Sequence, residues 1–210
     1  MPGSEITRRG LAGAGLALSL GGAGPAPRRV VSLNPCLDVI LFHVAAPGQV
    51  AALTHYARDP QASTLARVAR HVPVTHETAE EVVALRPDLV LMSEHSALAT
   101  RNALTRLGVR LALFNVPQTI AASLAQVRQL ADLLGRARAG EAMIGRIETA
   151  LEAAAPPPGA RPITALVYQP NGFAAGAGTL TDEMMRRTGF ENVAARYGLG
   201  RWGNIALEQI

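Results

Sequence analysis

The sequence predicts an α/β protein of two lobes with parallel sheets, joined by a long rigid interdomain helix. Three observations predict this fold class. A strand, a loop and a helix alternate four times between residues 28 and 117, which is typical of a parallel sheet covered by helices. A helical tract over residues 118–158 then ends at three prolines and Gly159. A new strand and helix follow over residues 159–210, as a second lobe that we expect to be incomplete.

The composition narrows the classes of function. The chain has 210 residues, which suffices for one large domain or two small ones. Its formal charge is +4, and its arginines are scattered without a basic block. With only 4% aromatic residues, nucleic-acid binding is not expected. Cys36 is the single cysteine, so an internal disulfide is excluded. It is either a nucleophile or, as its isolation favours, an ordinary loop residue.

Residues 1–27 have the pattern of a signal peptide. Arg8 and Arg9 follow Thr7 and precede a short apolar run rich in glycine and alanine. A basic start, a short apolar run and a small-residue exit are typical of secretory signals, and twin arginines indicate the twin-arginine type. The alternative is a disordered tail. The signal predicts a soluble protein exported to the periplasm.

The first lobe is predicted over residues 28–117. Short apolar runs predict strands, and apolar residues at helical spacing predict helices. The predicted strands cover residues 28–33, 49–54, 72–75, 89–92 and 109–114. The predicted helices cover residues 37–46, 63–71 and 98–107, together with a short helix that ends before Pro87.

That short helix leads directly into a core strand. Thr78 is a good N-cap, and Glu81 stands three residues on, where a capping-box carboxylate belongs. Pro87 stops the helix because it pushes Arg86 out of the α region. The apolar run 89–92 is short enough to be a buried parallel strand. Polar residues follow it at once, where open α/β sheets bind ligands.

The second lobe begins after the helical tract. The tract contains Gly135, Gly140 and Gly145, which we expect to interrupt it only mildly. Beyond the prolines, a strand is predicted over residues 163–168, a glycine-rich exit over 169–178 and a helix over 180–188. Asn192-Val193 could form a short strand, and residues 207–210 begin another helix.

The chain resembles the periplasmic substrate-binding proteins of ABC importers, in the class with a rigid interdomain helix. Residues 29–34, 80–92, 168–172, 176–180 and 189–194, together with the long helix, carry the resemblance through their order and spacing. The resemblance implies a carrier of cobalamin, a ferric siderophore or haem that works as a monomer, needs no cofactor and delivers its ligand to a permease. It also implies that Glu80 and Glu208 dock on arginines of that permease. Ordinary solvated carboxylates are the alternative, and Glu81 competes with Glu80 for the role.

The candidate ligand residues lie in the loops that follow the strands, and the resemblance implies a cleft between the lobes. Aromatic side chains suit a flat chelate, and Arg58 suits an anionic one. The candidates are Asn34, Tyr56, Arg58, Ser93, His95, Tyr168, Gln169, Asn171, Phe173 and Trp202. The same loops also contain Cys36, His55, His76, Glu94 and Asn115.

Two alternatives remain open. His55, His76 and His95 each follow a strand of the first lobe, and histidine is a common transition-metal ligand. The alternative function is therefore a carrier of a bare metal ion. The second alternative is an exported enzyme, because Gly176-Ala177-Gly178 might hold a phosphate. No P-loop, full dinucleotide fingerprint or nucleophile elbow is present, so we expect no enzyme.

Overall fold

The computed structural model describes residues 25–210. The predicted signal peptide, except for its last three residues, lies outside this range. The strands are β1 Val30–Ser32, β2 Val50–Thr54, β3 Val74–Thr75, β4 Leu89–Ser93, β5 Leu111–Phe114, β6 Ile163–Ala165, β7 Phe173–Ala175, β8 Phe190–Asn192 and β9 Trp202–Asn204. The α-helices are α1 Pro35–Val44, α2 Ala79–Ala84, α3 Leu98–Arg106, α4 Ile120–Leu133, α5 Ala137–Ala153 and α6 Leu180–Arg187.

Strands β1 to β5 form one parallel sheet in the order β3-β2-β1-β4-β5. The predicted α/β class and the parallel sheet predicted within residues 28–117 are thus confirmed. Successive strand residues face opposite sides of the sheet. Val30, Leu89 and Leu91 pack with α1, α4 and α5, whereas Val31 and Val90 pack with α2 and α3. Both faces of the sheet are therefore buried, which explains the continuous apolar runs in its strands.

The helix predicted over residues 63–71 is wrong. This segment consists of consecutive turns. Near its middle, the Ala69 N–H donates a hydrogen bond of the helical i to i−4 type to the Leu65 carbonyl. Leu65 and Ala69 are buried, and the residues between them are not. Two anchors one turn apart are too few to extend a helix, because helix nucleation must be repaid by several successive bonds.

The helical tract 118–158 is two helices rather than one rigid helix. Gly135 has a φ of +68° and ends α4, a conformation that glycine adopts without strain. Helix α5 then packs back against α4. At Gly140 an added Cβ would stand 2.5 Å from the Cβ of Ala131, so this glycine permits the close approach. Arg128 and Glu141 pair across the two helices at 2.8 Å. Only α5 therefore continues towards the second lobe.

Residues 163–210 form two small sheets and α6. Strands β6 and β8 are parallel, as expected, but β7, which lies within the predicted glycine-rich exit, forms an antiparallel ribbon with β9. Asn171 and Gly172 both have a positive φ, so the chain reverses sharply before β7. At Gly172 an added Cβ would stand 2.4 Å from the carbonyl oxygen of Ile205. The missing side chain lets the segment after β9 lie directly against the turn.

No helix among residues 25–210 combines the length and the apolar character needed to cross a membrane.

Candidate functional site

The carboxyl ends of β1, β4 and β5 lie side by side in the sheet. Between β1 and β4 the strand order reverses direction, and a crevice forms at such a point in open α/β sheets. A cavity of about 40 Å³ lies there. Its polar lining residues are Asn34, Cys36, Ser93, Asn115 and Gln126. The structure therefore brings together the exit loops of three strands, as the sequence predicts.

Two of the predicted ligand residues also shape these loops. The Asn34 side-chain oxygen accepts hydrogen bonds from the backbone N–H groups of Cys36 and Leu37, at 3.0 and 3.2 Å. It thereby caps the N-terminus of α1. The Ser93 hydroxyl oxygen accepts a hydrogen bond of 3.1 Å from the His95 N–H. These oxygens hold the backbone of the two loops in place.

The loop after β2 is a single 3-10 turn, His55–Arg58. It carries Tyr56, whose side chain is exposed, while Arg58 donates a hydrogen bond of 3.1 Å to the Val72 carbonyl. The His55 ring stacks on His76 with centroids 4.9 Å apart and planes 18° apart. Two exit loops are thus joined by an aromatic contact that the sequence did not predict.

The three histidines of the metal alternative do not gain support from this geometry. His55 and His76 are neighbours, and His95 is exposed in the loop after β4. Across the described part of the chain, no group of three or more His, Cys, Asp or Glu side chains could hold a metal ion. A metal site at these histidines stays a prediction.

A buried carboxyl group lies behind the same edge of the sheet. Asp38 on α1 has no exposed surface, and its Oδ2 accepts hydrogen bonds from the Thr54 hydroxyl at 2.6 Å and the Thr54 N–H at 3.1 Å. Its Oδ1 has no partner among the described residues. Burial raises the pKa of Asp38 to about 6, and the nearby Ser32 hydroxyl and the hydrogen bonds from Thr54 only partly offset this effect.

Sequence analysis missed Asp38. It stands in the first turn of α1, where acidic residues are common because they complement the helix dipole. Its neighbours Leu37 and Val39 are apolar, which was the one signal that this turn faces the core. The partner Thr54 is 16 residues away, so sequence spacing alone could not reveal the contact.

The second lobe presents an exposed aromatic pair. Phe173 on β7 and Trp202 on β9 stack with centroids 5.4 Å apart and planes 4° apart. In the ribbon Phe173 faces Asn204 and Trp202 faces Ala175, so the two rings are diagonal neighbours. The exposed fractions are 37% for Phe173 and 44% for Trp202. The stacked pair therefore leaves apolar ring surface exposed to solvent.

The other predicted residues of the second lobe surround this ribbon. The Tyr168 hydroxyl donates a hydrogen bond of 3.0 Å to the carbonyl of Ile205. Gln169 donates through its backbone N–H to the Phe173 carbonyl at 2.8 Å. The Asn171 carbonyl accepts a hydrogen bond of 2.8 Å from the Asn204 side chain. These contacts fix the strands on which the aromatic pair stands.

The two carboxylates at the start of α2 have different surroundings. Thr78 caps this helix as predicted, through a bond of 3.3 Å from the Glu81 N–H. The Glu81 carboxylate accepts hydrogen bonds from the Thr75 hydroxyl and the His76 N–H, both at 2.7 Å. These bonds, with the nearby His76 ring, lower its pKa. Glu80 is exposed and makes no hydrogen bond or ion pair with any described residue.

Glu208, the second predicted docking residue, is exposed in the 3-10 turn Leu207–Gln209. It therefore lies at the surface of the second lobe, as Glu80 does at the surface of the first.

The two lobes also meet through α4 and α6. The Glu183 carboxylate on α6 accepts a hydrogen bond of 2.7 Å from the N–H of Ile120, at the N-terminus of α4. Arg187 holds the other carboxylate oxygen at 3.1 Å. A cavity of about 550 Å³ lies beside this contact, lined by Ile120, Ala121, Leu124, Glu148, Leu151, Glu152, Ala155 and Arg187.

The family model described as periplasmic binding protein matches residues 30–210. Among curated proteins, none matches this sequence.

Several solved structures share the fold. The periplasmic haem-binding protein RhuT from Roseiflexus sp. RS-1 superposes with a TM-score of 0.69 at 24% identity, over 86% of this chain and 71% of its own. A possible iron-binding periplasmic solute-binding protein from Staphylococcus epidermidis gives a TM-score of 0.68 at 16% identity, over 88% of this chain and 73% of its own. The vitamin B12-binding protein BtuF of Vibrio cholerae gives 0.62 at 17% identity, over 87% and 72%.

Proposed function

This chain belongs to the periplasmic binding protein family, and on that premise we propose that it captures an iron chelate or a cobalamin-type ligand between its two lobes. The candidate ligands of this class are haem, a ferric siderophore and cobalamin. The family consists of binding proteins and not of enzymes. Export by residues 1–27 and delivery of the ligand to an ABC permease complete the proposed role.

The exposed Phe173–Trp202 pair is the observation that carries the ligand class. Its rings are nearly parallel and stand on a ribbon fixed by backbone contacts, so they form a preorganised stacking surface. Stacking on aromatic rings favours planar ligands. A haem or corrin ring has this shape, and the similar structures named above include proteins described as binding haem and vitamin B12. The polar exit loops of the first lobe supply the opposite wall.

The surroundings of α2 support Glu80 as the docking carboxylate of the first lobe. Glu81 is occupied by Thr75 and His76, whereas Glu80 is free of partners within residues 25–210. A carboxylate in the first turn of a helix is favoured by the helix dipole. It can pair with an arginine and steer the approach of a partner protein. Glu208 is the corresponding carboxylate of the second lobe.

The decisive experiment is a ligand titration followed by Trp202 fluorescence. Trp202 is the single tryptophan, so a change in emission reports directly on the proposed platform. Haemin, cyanocobalamin and a ferric siderophore are titrated separately into the full chain. We expect saturable quenching by one of them. The chelate proposal is wrong if none of the three binds.

Zinc and manganese titrations test the metal alternative in the same format. Binding that disappears in the double variant His55→Ala, His95→Ala would favour a bare-metal carrier. Metal binding that persists unchanged in this variant would exclude these ligands.

A further inference from the structure

Among residues 25–210, Asp38 is the one buried acidic group behind the ligand-facing edge that the proposed function does not use. It belongs to α1, which packs on β1, β2 and the turn His55–Arg58. Its two bonds to Thr54 fix both the backbone and the side chain of the last residue of β2. The next residue, His55, opens the 3-10 turn that carries Tyr56 and Arg58. Asp38 is therefore one residue away from a turn with two candidate ligand side chains.

The two oxygens of this carboxyl group are used unequally. Oδ2 accepts both bonds from Thr54, while Oδ1 is buried and unpartnered within the described residues. A proton can bind at Oδ1 without displacing any hydrogen bond. When the proton leaves, Oδ2 gains charge and accepts more strongly, because charge-assisted hydrogen bonds are shorter and stronger than neutral ones. Ionisation thus tightens the tie to Thr54 and costs desolvation of a buried charge.

Other charged groups bear on Asp38 from one direction. Glu77, in the loop after β3, repels a charge on Asp38 and is itself flanked by His55 and His76. The rest of α1 packs against apolar residues of α4 and α5. The charged groups on that side lie at the far end of α1, where Arg146 acts on His43 and Arg136 donates to the Val44 carbonyl. The polar and charged groups that act on the protonation of Asp38 are therefore Thr54 and Ser32, which favour the ionised form, and Glu77, which disfavours it.

We propose that Asp38 is a positioning residue for the turn His55–Arg58, and that a proton on its carboxyl group sets how firmly this turn is held. Because this turn carries Tyr56 and Arg58, its firmness would also affect ligand capture, and that consequence rests on the proposed function. The link between Asp38 and the turn does not. A pKa raised to about 6 brings the change of protonation closer to neutral pH.

Backbone amide signals of the ligand-free full chain test the link. In a ¹⁵N-labelled sample titrated from acidic to mildly alkaline pH, the Thr54 amide donates directly to Asp38 and reports its ionisation. We expect the Thr54, Tyr56 and Arg58 amides to share one inflection. In Asp38→Asn, which keeps an oxygen acceptor for Thr54, this inflection should be lost from all three signals. An inflection at Tyr56 and Arg58 that survives in Asp38→Asn would overturn the proposal, as would a wild-type inflection confined to Thr54.

Two further variants should shift the pH of the shared inflection in opposite directions, and neither alters Asp38 itself. Thr54→Val removes the hydroxyl donor that favours the ionised form, so the shared inflection should move to higher pH. Glu77→Gln removes the repelling charge, so it should move to lower pH. Shifts of the same sign, or no shifts, would contradict the assignment. Because no ligand is added, a failure of haemin or cobalamin to bind leaves these outcomes unchanged and counts only against the proposed function.

Discussion

The Glu183 carboxylate of α6 lies 2.7 Å from the backbone nitrogen of Ile120, the first residue of α4. The bond joins an acidic side chain of the second lobe to the N-terminus of a helix that packs on the first. A helix N-terminus has unpaired N–H groups and a partial positive charge, so a carboxylate is well placed there. The contact adds a fixed point between the lobes besides α5.

Glu183→Ala should weaken this contact between α6 and α4. The variant leaves the Ile120 N–H without its charged acceptor, and we expect a loss of about 1 kcal/mol in the free energy of unfolding. The pKa of Glu183 is lowered, chiefly by the bond from Ile120. Its contribution is therefore complete above the ordinary glutamate pKa and is lost as the pH falls through the lowered value.

Urea unfolding of Glu183→Ala at neutral and at acidic pH measures this effect. Glu191→Ala is the matched control, because Glu191 pairs with Arg196 inside the second lobe at the surface. Its stability should stay close to that of the wild type. Equal stability losses in the two variants would show that the bond between Glu183 and Ile120 stabilises the fold no more than a surface ion pair does.

Asp38→Asn should change how stability depends on pH. The folded chain holds the Asp38 proton up to about pH 6, while the unfolded chain releases it near the ordinary value of 3.8. Between these values the folded state binds more protons, so this group's contribution to stability falls as the pH rises. The asparagine variant lacks this slope. Relative to the wild type it should gain roughly 2 to 3 kcal/mol between about pH 4 and about pH 7.

Unfolding at the two pH values gives the comparison for Asp38. Asp132→Asn changes the charge equally at an exposed position of α4 and should show no such pH-dependent gain. A constant difference between Asp38→Asn and the wild type would mean that folding does not raise the pKa of Asp38.

Gly176→Ala should destabilise the second lobe. An added Cβ would stand 1.8 Å from the carbonyl oxygen of Gly200, so one backbone segment must move. We expect a loss of about 1–3 kcal/mol, which thermal unfolding would detect. Gly145→Ala is the opposite case, because Gly145 lies in the exposed part of α5 with nothing within 4 Å of an added Cβ. It should gain about 0.5–1 kcal/mol from its helix propensity. Similar effects of both changes would refute this interpretation of the ribbon.

Phe173→Ala should weaken binding of a planar chelate. Loss of one aromatic contact costs about 1 kcal/mol, or roughly fivefold in the dissociation constant. The measurement is titration with whichever of haemin, cyanocobalamin or ferric siderophore the wild type binds. Phe190→Ala on β8 removes a similarly exposed ring away from the pair and should leave affinity unchanged. Equal losses in both variants would indicate general damage to the lobe.

Glu80→Arg should abolish transport and leave ligand binding intact, because it reverses the charge that would meet an arginine of the permease. Uptake by cells that carry the cognate permease is the measurement, with fluorescence titration of the purified variant beside it. Asp132→Arg, an equal charge change at an exposed position of α4, should transport normally. Normal uptake with Glu80→Arg would remove this residue from the docking surface.

The first sheet could be predicted from sequence because its strands are buried on both faces. A strand such as β4, Leu89–Ser93, has only buried residues and therefore forms one unbroken apolar run. The end of α2 before Pro87 was also predicted from the sequence. In the structure Arg86 has a φ of +46°, which lies outside the right-handed α region. Such signals are local, so one sequence contains them completely.

The features that sequence did not reveal depend on contacts between distant segments. Gly135 and Gly140 stand in the same tract, but one ends a helix and the other lets two helices approach. Nothing in their immediate neighbours distinguishes the two roles. The same holds for the stacking of Phe173 on Trp202 and for the bonds of Asp38 to Thr54, which join residues far apart in the chain.

Glu80 and Glu81 are identical neighbours that should tolerate different substitutions. The Glu81 side chain must span the distance to Thr75 and His76, so even aspartate, which is one methylene shorter, would lose its bonds there. Glu80 holds nothing within the described residues, so the fold itself accepts almost any polar side chain at this position. A mutational scan selected for folding alone should therefore restrict residue 81 and leave residue 80 open. Selection for uptake should then restrict both.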